Sequence, residues 1–152
     1  MLAQIRAGEP GDAAFLAESW RAMLDELRLA PGGFVPDWHE RLTEHFAAGI
    51  ADRSQGWVVA IQGEERIGSA GAFVRSSVIG DVQRRRSAAV AGVYVLPAFR
   101  RNGVARRLVT AAIDWCRQRG CTEVRLQASE AAEPLYRALG FEDGSELVLK
   151  IG

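Results

Sequence analysis

The sequence predicts a mixed α/β sheet with helices on both faces, built as one domain over residues 1–152. Three observations predict it. Trp57–Ile61 and Ile67–Val74 are apolar runs joined by the turn Gln62-Gly-Glu-Glu65, the pattern of an antiparallel hairpin. Ala88–Val95 is a nearly continuous apolar strand, as expected where both faces are covered. An amphipathic helix and a further strand, Glu123–Gln127, follow it, and such a crossover is right-handed and sets its two strands parallel.

The remaining elements fall around this frame. Gln4–Arg6 reads as a short first strand, broken by Gly8-Glu-Pro-Gly-Asp12, with Asp12 as the cap of helix one. That helix runs to about Leu29, with Leu16, Trp20, Met23, Leu24 and Leu27 on one face at helical spacing. Asp25 and Glu26 read as part of its solvated face. Ala30–Pro36 is a loop by composition, and Asp37 with Glu40 has capping-box spacing at the start of a second helix. His39 and His45 in that helix read as surface or packing residues. Arg75–Ser87 is polar and reads as a loop or ragged strand end. In the crossover helix Val104, Leu108, Ala111, Ala112 and Trp115 face inward, and Gly120 is its stop. Ser129 reads as the cap of a fourth helix ending at Gly140, and Glu146–Ile151 as a final strand. The expected total is six to seven strands with about four helices.

Composition excludes some partners. The formal net charge is zero, so no global bias favours nucleic acid or a membrane surface. No apolar run approaches the length of a membrane span, and Met1-Leu-Ala-Gln-Ile-Arg6 lacks the apolar core of a signal peptide. The two cysteines, Cys116 and Cys121, have no zinc-site spacing, and no metal site is expected. A cytoplasmic protein is the default expectation, and a homodimer is compatible with the sequence.

The stretch Val93–Arg106 carries the chemistry. Pro97 ends the strand, a basic turn containing Gly103 follows, and a long helix begins. The first backbone N–H groups of a helix lack partners, and its dipole adds positive charge there, so phosphate is favoured. Gly103 and Ala105 keep side-chain bulk away, while Arg100, Arg101, Arg106 and Arg107 offer bidentate bonds to phosphate.

Arg100-Arg101-Asn102-Gly103-Val104-Ala105 resembles the Gln/Arg-x-x-Gly-x-Gly/Ala loop of the GCN5-related N-acetyltransferases (GNAT). Downstream, Pro134-Leu-Tyr-Arg-Ala-Leu-Gly-Phe141 resembles a second signature of that family. The resemblance implies the GNAT acyl-CoA N-acyltransferase fold and acetyl-CoA as cosubstrate. It implies that Arg100, Arg101, Asn102, Gly103, Val104, Ala105 and Arg106 hold its pyrophosphate. It assigns the backbone of Val93, Tyr94 and Val95 to the pantetheine and the thioester carbonyl, Ser129 to a cofactor hydrogen bond, and Tyr136 to protonation of the leaving thiolate. The implied reaction is acetyl transfer to a primary amine by direct attack in a ternary complex.

Two departures from the family pattern matter. Ser129 stands where many members carry asparagine, and Ala88–Gly92 has no carboxylate where some hold a catalytic Glu. Without that base, an amine must be neutral for another reason. Neutralising a lysine amine at pH 7 costs roughly 4.6 kcal/mol, an α-amino group only about 1.4 kcal/mol. Small-molecule amine, amino acid, peptide N-terminus and protein lysine all stay open as acceptors. Two other readings share these residues. One is an acyl-CoA sensor or subunit without turnover, favoured by the missing carboxylate and opposed by Tyr136. The other is a nucleotide-binding domain, which lacks a Gly-x-Gly-x-x-Gly or Gly-Lys-Ser/Thr run.

Overall fold

The computed structural model describes residues 2–152. The hairpin forms as expected: β2 (Gln55–Gln62) and β3 (Glu65–Arg75) pair antiparallel across a turn in which Gly63 has φ +64°. β1 (Gln4–Ala7) adds antiparallel to β2, and β4 (Ser87–Val95) antiparallel to β3. β5 (Glu123–Arg125) lies parallel to β4, so the sheet has five strands in the order β1-β2-β3-β4-β5. The crossover helix, α4 (Val104–Gln118), covers one face of the sheet, and α1 (Ala13–Glu26) with α2 (Trp38–Ala51) covers the other. Two short helices, α3 (Val78–Val82) and α5 (Glu133–Ala138), sit in connections.

The strand period of two divides the core between the faces. Val58, Ala60 and Ile67 pack with Leu108, Ala112 and Cys116 of α4. Trp57 and Val59 point the other way, into Leu16, Ala17 and Phe46. Trp57 is the largest wedge in that second layer: its ring meets Phe46 at 4.9 Å and Phe73 at 5.7 Å between centroids. Its indole N–H donates to Gln55 Oε1 at 2.9 Å, and Gln55 in turn meets the His45 ring. His45 is exposed, with its ring beside Phe46 and Gln55, within the surface-or-packing reading of its sequence context.

Several expectations need correction. Glu146–Ile151 forms no strand, so the sheet stops at five strands instead of six to seven. β propensity describes a side-chain pattern, and a strand also needs a partner edge; β5 offers only three residues. The polar loop after β3 contains α3, capped by Ser77, whose Oγ accepts from Gly80 N–H. α1 ends at Glu26 because Arg28 turns left-handed (φ +55°) and Leu29 N–H closes onto Leu24 O. Asp12 and Asp37 precede their helices without capping them through their side chains. The fourth helix begins at Glu133, beyond Ser129. Among the described residues, no helix is long and apolar enough to cross a membrane.

Candidate active site

The site begins as an irregularity in β4. Ser69 pairs with Tyr94 and Gly71 with Ala91, so Gly92 and Val93 together oppose Ala70 alone. That is a β-bulge. Gly92 allows it, with φ +65°, and no larger residue fits: a Cβ there would lie 2.7 Å from Cη2 of Trp57. Ser69, itself buried, donates its hydroxyl to Gly92 O at 3.0 Å and pins the bulge. The isolated glycine in an apolar strand was the available sequence signal for this feature.

The two parallel strands separate three residues before the bulge. β4 pairs with β5 only at Ser87, Ala88 and Ala89. Leu96 N–H bonds Ile67 O on the β3 side, so alternation along the strand turns the N–H groups of Val93 and Val95 toward the gap. The gap opens into a groove of about 850 Å³ that runs from Ala89 past Gly92 and Val95 to Ala105 and Arg106.

At one end lies the basic turn. Arg101 and Gly103 are both left-handed, at φ +66° and +75°, and no atom lies within 4 Å of where a Gly103 side chain would begin. The first turn of α4 is therefore open to an anion. Arg101 and Arg106 line the groove there, and Asn102 is exposed in the same turn. Arg100 lines it too, but its guanidinium is engaged: it grips Glu26 bidentately, donates Nε–H to Val95 O at 2.8 Å, and lies 5.3 Å from the Tyr94 ring centre. The Glu26 bond raises the Arg100 pKa, and the same bond lowers that of Glu26. Glu26 is a groove residue that its helix position did not reveal.

Tyr136 stands across the gap on α5, 7% exposed. Gly140 closes the helix with φ +100°, Phe141 N–H returns to Tyr136 O at 3.1 Å, and the Phe141 ring packs on the Tyr136 ring at 5.9 Å. This terminus fixes the phenol. Burial pushes the Tyr136 pKa up, so the phenol stays protonated at neutral pH. Its hydroxyl makes no protein hydrogen bond among the described residues and is not one of the sealed polar atoms, which number only Thr43 Oγ1. Ser129 also lines the groove; its Oγ accepts from Ala132 N–H at 3.3 Å, leaving its proton free to donate.

The α1–α2 loop keeps its aromatic side chains off the groove. Phe34 and Trp38 stack on each other and on the Arg21 guanidinium, away from the groove, which Leu27 and Leu29 line instead. Asp25 pairs with Arg21 and Asp37 with Arg41, so neither faces an acceptor.

Residues 20–141 match the model of the acetyltransferase (GNAT) family. The chain belongs to the GNAT family. An aminoglycoside N(6')-acetyltransferase type 1 of Klebsiella aerogenes is 31% identical over 149 residues, covering 94% of this chain and 91% of that protein. The protein of the same name from Salmonella enteritidis is 29% identical over 139 residues, covering 86% and 88%. Among solved structures, a predicted acetyltransferase of Clostridium acetobutylicum, with acetyl-CoA, superposes with a TM-score of 0.81 at 19% identity, covering 99% of this chain and 96% of that one. AAC(6')-Iy in complex with a bisubstrate analogue gives 0.74 at 24% identity, covering 100% and 99%. As a GNAT enzyme the chain is an acetyl-CoA-dependent N-acetyltransferase that moves an acetyl group to an amine.

Proposed function

We propose that the groove takes acetyl-CoA along β4 and a small-molecule amine at the bulge, and that Tyr136 is the general acid. The observation that carries this reading is the gap between β4 and β5 after Ala89, bordered by the bulge at Gly92 and by Tyr136. The amides of Gly103, Val104 and Ala105, with Arg101, Asn102 and Arg106, receive the pyrophosphate. Arg100 contributes by bracing the strand end, through Val95 O. Ser129 donates to the cosubstrate.

The gap-facing N–H groups of Val93 and Val95, with Tyr94 between them, hold the thioester carbonyl and stabilise negative charge on its oxygen. A neutral amine attacks the carbonyl carbon. The C–N bond forms, the C–S bond breaks, and Tyr136 protonates the departing sulfur. The proton released by the attacking nitrogen leaves to water, which also restores Tyr136. No protein nucleophile is needed: Cys116 is sealed in the core, and burial pushes its thiol up to about 11.

The relatives' names, aminoglycoside acetyltransferases, support a small molecule over a protein lysine as the acceptor. Free-thiol release from acetyl-CoA, measured against a panel of amines, tests the reading. Amine-dependent release is expected. Tight CoA binding with no release above hydrolysis for any amine favours the sensor reading instead.

A further inference from the structure

The groove wall holds no uncommitted carboxylate. Its two acidic residues are Glu26, gripped by Arg100, and Glu146, 3.4 Å from Arg125. Up to the bulge, β4 adds only uncharged residues, Ala89, Val90, Ala91 and Gly92. A polycationic aminosugar, the kind of acceptor named for the relatives, would find nothing there to balance its charges.

The cations are arranged the other way. Arg101 and Arg106 sit at the α4 end, where the pyrophosphate goes. Arg125 is neutralised by Glu123 and Glu146. That leaves Arg75 at the last position of β3: it lines the groove and makes no ion pair or side-chain hydrogen bond among the described residues. In register it faces Ser87, five residues before the bulge at Gly92 and on the side away from α4. At 3.3 Å per residue that is about 16 Å along the strand. An arginine extended toward the bulge shortens that to about 10 Å, the span of about three extended residues. The stretch of β4 between them adds only Ala89, Val90 and Ala91 to the groove, and Trp20 of α1 stands over the bulge itself.

Resting on the transfer reading above, we infer that the acceptor is a zwitterionic amine of short-peptide dimensions. Its α-amino group lies at the bulge, its body lies along β4 past Ala91 and Ala89, and its carboxylate is held by Arg75. The missing base fits the same assignment. An α-amino group, with a pKa near 8, reaches its neutral form far more cheaply than an alkylamine near 10.4. A guanidinium fork matches a carboxylate bidentately.

The test compares the tripeptide Ala-Leu-Ala as the free acid, the same tripeptide as its C-terminal amide, and neamine as a polycation. Each is assayed by thiol release and, on the CoA complex, by calorimetry. The free acid is expected to show a KM and Kd at least tenfold below the amide's, and neamine to be the poorest acceptor. The Arg75→Gln protein should treat acid and amide alike. Equal handling of acid and amide by the unmodified protein, or preference for neamine, overturns the inference. Absence of thiol release with every amine sinks the transfer reading instead, and the calorimetric comparison of acid with amide still decides the role of Arg75.

Discussion

Arg100 grips the Glu26 carboxylate through both terminal nitrogens, at 2.6 and 2.8 Å, while its Nε–H bonds Val95 O. One side chain thereby ties the end of α1 to the end of β4 and draws on the charge that the anion loop could use. In Glu26→Gln the fork is released and one negative charge leaves the groove. CoA affinity is expected to rise roughly twofold to fivefold, and stability to fall by less than about 1 kcal/mol, since the pair is half-exposed. Calorimetry with CoA at low and high salt checks this. The gain should shrink at high salt, where exposed charges are screened; a loss of affinity would mean that Glu26 orients Arg100 productively.

Gly103 offers a sharper probe of the proposed pyrophosphate site. Its surroundings are empty, so Gly103→Trp meets no core atom and suffers only the left-handed backbone, about 1–2 kcal/mol. The indole would occupy the space over the first turn of α4. A folded variant by circular dichroism with CoA binding reduced at least tenfold is expected. Unchanged affinity would move the pyrophosphate elsewhere.

At Gly92 the expectation combines strain with steric conflict. Gly92→Ala places a methyl group against the Trp57 and Trp20 rings in a backbone region L-residues avoid. Relieving that contact means flattening the bulge and turning the Val93 and Val95 amides out of line. Turnover should fall by more than tenfold, with stability lower by about 1–3 kcal/mol. The double variant Gly92→Ala with Trp57→Phe, which makes room for the methyl, should recover some stability without recovering activity.

Tyr136→Phe removes only a hydroxyl. Loss of a general acid typically costs roughly 10²-fold or more in turnover. Because burial raises the phenol pKa, the acid form persists above the usual tyrosine range, and activity should fall only as pH passes that raised value. The variant should lose that alkaline limb while binding acetyl-CoA normally. A pH–rate profile of the two proteins separates this role from packing against Phe141.

The groove's backbone half was legible in the sequence, because Gly103, Pro97 and Gly140 act through local geometry that the chain itself encodes. The strand-helix-strand order likewise fixed which elements would flank the gap. What stayed hidden were contacts between distant segments. Glu26 lies 74 residues from Arg100, and Asp12 54 residues from Arg66, so no periodicity could pair them. Phe34 in the loop and Trp38 at the start of α2 are joined by a cation from another helix, Arg21, which no local pattern announces. The apolar pattern of Glu146–Ile151 predicts a strand that does not form, and every one of those residues is exposed.

The last prediction concerns stability, through Asp12. Its side chain is 1% exposed and collects Arg6 at 2.8 and 3.0 Å, Arg66 at 2.7 Å, and the Glu9 N–H at 2.8 Å. Burial alone would push the carboxyl up, but the hydrogen bonds from Arg6, Arg66 and Glu9 outweigh it and hold the group far below the usual carboxylate range. A folded-state pKa depressed in this way contributes stability that is fully present above the unfolded value, about 3.9, and fades as pH falls toward the folded one. Asp12→Asn keeps the shape and removes the charge. Because both arginines retain partial contact with water, the expected cost at pH 7 is about 2–3 kcal/mol, at or below the lower end for a broken buried pair. Urea unfolding of both proteins at pH 7 and pH 3 makes the test. The difference between them should narrow at the lower pH, as the unfolded state of the unmodified protein takes up a proton that the variant cannot bind. A gap of equal size at both values would mean that the side chain acts by shape and hydrogen bonding alone.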